Sequence, residues 1–182
     1  MDIDRRGMTP VGAVVRGVVA GAIGTLAMDL VWFTRYKRGG GKSGFADWEL
    51  SSEIHTWEQA PAPAQVGKRL VEGVFQVELP HHRARLVNNI VHWATGVLGG
   101  AQYGLAAGSL RAPRVWYGVP FGATVWSSGY VVLPAAGLYQ QIWDYDRETL
   151  AKDLSAHLVY GLTTAAVFKG LTARSGRRTR HQ

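Results

Sequence analysis

Residues 11–33, VGAVVRGVVAGAIGTLAMDLVWF, decide the fold: an apolar run interrupted by Arg16 near its start and by Asp29 near its end. About 20 apolar residues in helical form cross a hydrocarbon core, so this stretch predicts a membrane-spanning helix. Arg5 and Arg6 precede it, as basic residues precede a secretory leader. The run is longer than a leader's apolar region, and Leu26-Ala27-Met28-Asp29 is a poor cleavage site, so it reads as a retained anchor.

Three further apolar stretches follow, at 86–108, 115–133 (extending toward Tyr139) and 154–171, the last short and tinged with polar residues. Mean hydropathy is only −0.04 because the charges are segregated. They gather in the first ten residues, the 34–85 connection, the 144–153 stretch and the tail from Arg174. The expectation is one all-α domain over 1–182, a polytopic four-helix transmembrane bundle with spans at about 11–33, 86–108, 115–133 and 154–171. Beyond the Pro61-Ala62-Pro63 break, Val66, Leu70, Val74 and Val77 recur at helical spacing. They predict a short amphipathic helix at about 64–79, lying on the membrane surface or capping the bundle. Residues 174–182 read as a basic tail.

The chain has no cysteine, which excludes disulfides, thiolate metal sites and cysteine nucleophiles. A net charge of +7 and a pI near 10.0 would suggest nucleic acid in a soluble protein. Basic flanks of membrane helices account for both values, and no helix-turn-helix, RNP or zinc pattern points to nucleic acid. The lipid bilayer is the expected partner.

Four spans place both termini and the 109–114 turn on one side, side A, and the 34–85 and 134–153 connections on the other, side B. The 20 Lys and Arg residues divide evenly. Those of side A (Arg5, Arg6, Arg111, Arg114, Arg174, Arg177, Arg178 and Arg180, with Arg16 and Lys169 able to snorkel outward) sit in very short segments, which favours side A as cytoplasmic in a bacterial inner membrane. Rows of small residues mark faces where helices touch: Gly17 and Gly21, then Gly96, Gly100 and Gly104, then Gly118 and Gly122. Such rows serve packing within the chain or a homo-oligomer contact. Trp32, Trp93, Trp116, Trp126 and Trp143 fall near span ends, as an aromatic belt requires.

Ionisable residues sit at matching depths in these segments. At about 1.5 Å of rise per residue, Asp29 lies about 6 Å inside the side-B end of its span, His92 about 9 Å and His157 about 5 Å. Asp153 lies one turn before His157, and Ser127, Ser128 and Tyr130 occupy the corresponding level of the third span. An intramembrane charge is costly and marks a functional-site candidate. A carboxylate facing imidazoles can relay or sense protons, since histidine titrates near neutrality. The same groups could hold a divalent cation, with His92, His157 and Asp29 as candidate ligands, or a haem between the two histidines. They could also form a purely structural hydrogen-bond network. Two lures fall away. Gly39-Gly40-Gly41-Lys42-Ser43 resembles a phosphate loop, but Tyr36 stands where that motif needs glycine, and His81-His82 sits in a polar turn.

His92 with Tyr103 eleven positions on, Gly118 and Gly122, Pro134-x-x-Gly137-Leu138 and Asp153-x-x-x-His157-Leu158-Val159 resemble the YagU-like family of small bacterial inner-membrane proteins, over roughly residues 86–172. The resemblance implies a shared site of His92, Tyr103, Asp153 and His157, and favours cytoplasmic termini. The N-terminal half matches only in having one span. Three functions follow as expectations: a non-enzymatic membrane protein whose Asp29, His92, Tyr103, Asp153 and His157 layer responds to protons or an ion; an accessory or assembly subunit of a larger membrane complex; or a metal- or haem-binding membrane protein. No nucleophile–base pair marks an enzyme.

Overall fold

The structure, a computed structural model, describes residues 8–51, 53–110, 112–138 and 140–178. Arg5, Arg6, Arg111, Tyr139, Arg180 and the rest of 179–182 in the basic tail lie outside the described residues. Every regular element among those described is helical: α1 (Pro10–Arg38), α2 (Phe45–Glu49), α3 (Ala62–Phe75), α4 (Ala84–Gly108), α5 (Gly118–Ala135) and α6 (Arg147–Arg178), with 3₁₀ turns at His81–Arg83, Val115–Tyr117 and Ile142–Asp144. The all-α expectation therefore holds.

α1 begins where Thr9 accepts a hydrogen bond from the Gly12 amide (3.1 Å) and Pro10 takes the first helical position, where its missing N–H costs nothing. It ends at Gly39, whose amide donates back to the Arg35 carbonyl. Gly40 adopts φ 91°, and the Ser43 amide donates to the Tyr36 hydroxyl. The glycine-rich segment is thus a helix-terminating turn, in keeping with its rejection as a phosphate loop.

α1 lies between α4 and α6, α5 packs on α6, and α3 lies across α4. The α1–α4 and α5–α6 contacts are backbone to backbone. A Cβ at Gly21 would come within 2.6 Å of the Gly96 carbonyl oxygen, and one at Gly100 would strike Gly17 and Gly21. Gly104 meets Ala13 and Gly17. On the other seam, Gly118 lies against Gly161, and Gly122 against the His157 carbonyl. The glycine rows therefore serve packing within the chain, and Gly161 is a partner that the spacing rule passed over.

The distribution of residues is inverted relative to a water-soluble bundle. The buried positions of α1 are Ala13, Gly17, Ala20, Gly21, Gly24, Thr25 and Asp29. Its large apolar side chains (Val11, Val15, Val19, Ile23, Leu26 and Leu30) point outward and are 38–73% exposed. Leu86, Ile90, Leu98 and Leu105 of α4 and Val119, Val131 and Val132 of α5 do the same. By length and composition, only α1 among the described helices is apolar enough to cross a membrane unaided. Asn88, Asn89, His92 and the glycines dilute α4, and Arg147, Glu148, Lys152 and Asp153 occupy the first two turns of α6.

Near the α4–α5 turn, Ala20, Tyr103, Ala107, Ala165 and Phe168 are buried together, with Tyr117 and Phe121 against them, and a cavity of about 580 Å³ lined by Gln102, Tyr103, Phe121, Thr124 and Ser128 lies alongside. Toward side B the 34–85 connection forms an ordered cap. Trp57, Ala64 and Ala84 make a small second core, and the Trp57 indole donates to the Leu79 carbonyl (2.9 Å). α3 differs from its predicted 64–79 extent. Gln76 enters the left-handed region at φ 52° and stops the helix, leaving Val77 beyond it. Ala64 and Gly67 face inward, Gly67 against Val87 and Val91, while Leu70, Val74 and Phe75 remain exposed.

Gly100→Ala is expected to destabilise the protein by about 1–3 kcal/mol, as overpacking does. Gly129→Ala, where a Cβ meets nothing within 4 Å, should be neutral or stabilising by up to about 1 kcal/mol. Thermal unfolding in detergent of the two variants checks the contrast, and equal effects would show that the α1–α4 contact is not close.

Candidate functional site

Glycine packing sets the site. With α1 lying directly on α4, Asp29 reaches across to His92: Nε2 is 3.1 Å from both carboxylate oxygens. Asp29 is only 4% exposed. One turn earlier, Thr25 turns its hydroxyl back to the Gly21 carbonyl (2.9 Å), which leaves no competing donor for the carboxylate from that residue. On α6, the i, i+4 spacing places His157 Nδ1 3.3 Å from Asp153 Oδ1 and 2.9 Å from the Asp153 carbonyl. Tyr130, from α5, donates its hydroxyl to Asp153 Oδ2 (2.9 Å). Arg35 clamps the start of α6 to α1 by donating to the Lys152 carbonyl and the Ser155 hydroxyl, both at 2.7 Å.

A cavity of about 400 Å³ lies between the helices, lined by His92, Thr95 and Gly96 of α4, Ser128 of α5, and Asp153, His157 and Tyr160 of α6. Pro63 and Val66 of α3 close it toward side B. Arg69 of α3 donates to the Ala136 and Gly137 carbonyls beyond α5, so α3 bridges from α4 to the far side of the cavity. A second cavity, about 420 Å³, opens between the cap and the helix ends and is lined by Asp29, Trp32, Asp47, Glu49, Glu53 and His92 among others. His92 lines both.

The expected layer is thus resolved into two carboxylate–imidazole pairs, of which His92, Asp153 and His157 line one cavity and Asp29 and His92 the other. Tyr103 is not part of it. Eleven residues along α4 from His92 amount to about 16 Å of rise, and its ring packs on Phe121 (4.9 Å) and Phe168 (5.8 Å). Tyr130 supplies the phenol instead. The metal candidates regroup as well: His157 pairs with Asp153, and the third group beside Asp29 and His92 is Glu49, on α2. The ligand atoms of Asp29, Glu49 and His92 lie within 4.8 Å of one another. Sequence reading missed Glu49 because it lies in the connection, 20 positions from Asp29, with no spacing rule to link them. The available signal was an acid next to Trp48, in a segment with enough aromatics to pack against a helix end.

That packing is visible. Phe33, Tyr36, Phe45 and Trp48 cluster with ring centroids 5.2–6.4 Å apart. The Leu50 carbonyl accepts from Arg85 (2.7 Å) and Asn89 (3.0 Å), and Asn88 donates to the Ser51 hydroxyl (2.9 Å). Held from both sides, Glu49 is pressed toward Asp29, and one of its carboxylate oxygens is buried without a hydrogen-bond partner. Burial, reinforced by the neighbouring Asp29 carboxylate, pushes the Glu49 carboxyl up to about 7, with His92 opposing. Of the aromatic-belt residues, Trp116 and Trp143 are exposed at opposite ends, whereas Trp32, Trp93 and Trp126 are turned partly inward around the site. His81 and His82 are exposed, His81 lying 3.8 Å from Glu58.

No protein-family model, curated protein or solved structure matches the chain.

A pH dependence follows from Glu49. Folded, it keeps its proton up to about pH 7, whereas its ordinary value is 4.5. The folded state therefore holds the extra proton between those values, and the stability this group contributes is full below about pH 4.5 and lost as pH rises through about 7. In chelator-treated protein, Glu49→Gln should flatten that part of the melting profile between pH 5 and 8. An unchanged slope would show that Glu49 is solvated.

Proposed function

We propose that the chain is a small multi-pass protein of the bacterial inner membrane, related to the YagU-like proteins. In this reading α1, α4, α5 and α6 are its four spans, and its buried Asp/His layer responds to protons or an ion without catalysing a reaction. The observation that carries this reading is the inverted packing: valines and leucines outward, glycines, Thr25, Asp29 and a histidine-lined cavity inward. Lipid tails solvate the outer faces as well as a protein core would, so helices associate through small residues and polar contacts. α1 alone meets the length-and-composition criterion, and the other three find support in the apolar outer faces of α4 and α5 and in the partners of α6. Exposed Leu70, Val74 and Phe75 on α3 suit the headgroup boundary on side B.

A sensing role draws its support from the pairing in the layer. A proton reaching His157 meets Asp153 on its own helix, Tyr130 from α5 and His92 across the cavity. Tyr103, Phe121 and Phe168 pack together farther along the bundle, beside a further cavity of about 580 Å³ that Gln102, Thr124 and Ser128 also line. The accessory-subunit reading keeps one supporting feature, the exposed face of α3, because the glycine faces are occupied within the chain.

Absence of native cysteine makes topology directly testable. Ser43→Cys and Gln141→Cys should react with an impermeant maleimide from one side of the membrane and Ser109→Cys only from the other; reaction of all three from one side rules out four spans. For the layer, melting is best measured with chelator in a Glu49→Gln background, where the only change in that carboxyl's charge state has been removed. The profile should still bend between about pH 5 and 8 through the two histidines, and His157→Ala should make that remaining bend smaller. A flat profile before His157 is replaced would reduce the Asp153–His157 pair to packing.

A further inference from the structure

We propose that Asp29, Glu49 and His92 bind a divalent first-row transition cation at the side-B mouth of the bundle. This deepens the reading above and rests on it only in assigning the polar layer an ionic role; the coordination chemistry is independent of how many helices span. Three observations converge. The donor atoms, two carboxylate oxygens and an imidazole nitrogen, lie within 4.8 Å of one another. A first-row ion about 2.0–2.2 Å from each donor sets adjacent donors roughly 3.0–3.6 Å apart, a spacing that the Asp29–His92 pair already has at 3.1 Å. The third donor therefore needs to close by little.

Second, the cluster has acceptor capacity left over. Asp29 is 4% exposed, and Glu49 is pressed against it with one oxygen buried and unpartnered. A buried oxygen without a partner is costly, and a bound cation would satisfy it together with the Asp29 carboxylate and the imidazole. Third, Glu49 is brought there by construction: the Leu50 carbonyl is gripped by Arg85 and Asn89, and Ser51 by Asn88. The adjoining cavity of about 420 Å³ is lined by Asp47 and Glu53 as well, which supplies further acidic groups to attract a cation and room for water to complete the coordination. Two oxygens and one nitrogen, with no sulfur, suit zinc, manganese, iron(II) or cobalt(II) over copper(I), and three protein donors are too few for a calcium cage.

Cobalt(II) is the probe, because its visible absorption reports ligand number. Added to the full-length protein in detergent at pH 7.5, it should give a visible band with saturable one-to-one binding and raise the melting temperature. Glu49→Gln should weaken binding at least about tenfold, and His92→Ala should abolish the band, while His157→Ala should leave both intact. Metal-free melting of Glu49→Gln checks that this variant is folded. Absence of saturable binding by the wild type overturns the proposal, and so does binding that survives Glu49→Gln, which would belong to surface histidines such as His81 and His82. Either failure leaves the His157-dependent pH response standing. Conversely, cobalt binding lost with Glu49 in a protein whose melting ignores His157 would sustain the metal site and sink the proton-sensing reading.

Discussion

The contact of Gly17 and Gly21 with Gly96, Gly100 and Gly104 is the constraint on which the rest of the structure depends. With no side chains between them, the backbones of α1 and α4 approach until carbonyl oxygens of one helix touch α-carbons of the other. That closeness lets a short aspartate span the gap and place its carboxylate 3.1 Å from His92. A seam of leucines would hold the helices about 8–10 Å apart, and Asp29 would face an apolar gap. Packing and chemistry are therefore the same feature seen at two depths of one interface. The α5–α6 seam repeats the device with Gly118, Gly122 and Gly161, and there the His157 carbonyl itself is the packing surface for Gly122.

Burying Asp29 then constrains the cap. A carboxylate this deep must be met by a donor or a positive charge, and His92 meets it from α4. The cap adds a second acid where a second base would have been the simpler answer. Because Arg85, Asn88 and Asn89, on the first turns of α4, hold residues 50 and 51, and aromatic rings hold α2 to the end of α1, Glu49 cannot easily swing into solvent. The cap's own small core around Trp57 supplies the rigidity. An arrangement that spends this many contacts to hold two carboxylates beside one imidazole is what one expects of a site that works with positive charge.

Much of this was legible in the sequence, and the boundary of legibility has a physical basis. Segregated charge and long apolar runs placed four long helices, because helix period is a local property. However, α1 continues past 33 to Arg38 and α6 extends beyond 154–171 at both ends, to Arg147 and Arg178, since charged residues propagate a helix that apolar runs do not mark. The glycine faces were readable for the same reason. Depth along each helix gave the level of Asp29, His92, Asp153 and His157, since 1.5 Å per residue converts position to height. Azimuth was not available from height alone. Tyr103 was drawn into the layer by its resemblance-based pairing with His92, although three turns of helix separate them, and Tyr130, already at the right level, makes the contact with Asp153. Glu49 escaped because its position depends on how a 50-residue connection folds back, a tertiary fact with no periodic signature. Gly161 escaped because a lone glycine in a polar-tinged helix forms no row.

The two halves of the bundle are chemically opposed, and the opposition bears on mechanism. Toward side A, Phe121 and Phe168 pack on Tyr103, and small residues of α1, α4 and α6 close around them. Toward side B, two cavities meet at His92, and four of the residues around them are acids or histidines held in pairs. Beside that aromatic cluster a further cavity of about 580 Å³, lined by Gln102, Tyr103, Phe121, Thr124 and Ser128, shares Ser128 with the histidine-lined one. In the sensing role proposed above, the site answers an ion from the end that carries the cap. A site of that kind can report occupancy by moving what covers it. The elements covering it are α2, which carries Glu49, and α3, which carries Pro63 and Val66 over the cavity and reaches Ala136 and Gly137 through Arg69. Occupancy at Asp29 and Glu49 bears on the cap at α2, and charge at Asp153 bears on α5 through Tyr130, so both pairs act on elements anchored at the side-B surface, where the exposed Leu70, Val74 and Phe75 of α3 meet their surroundings.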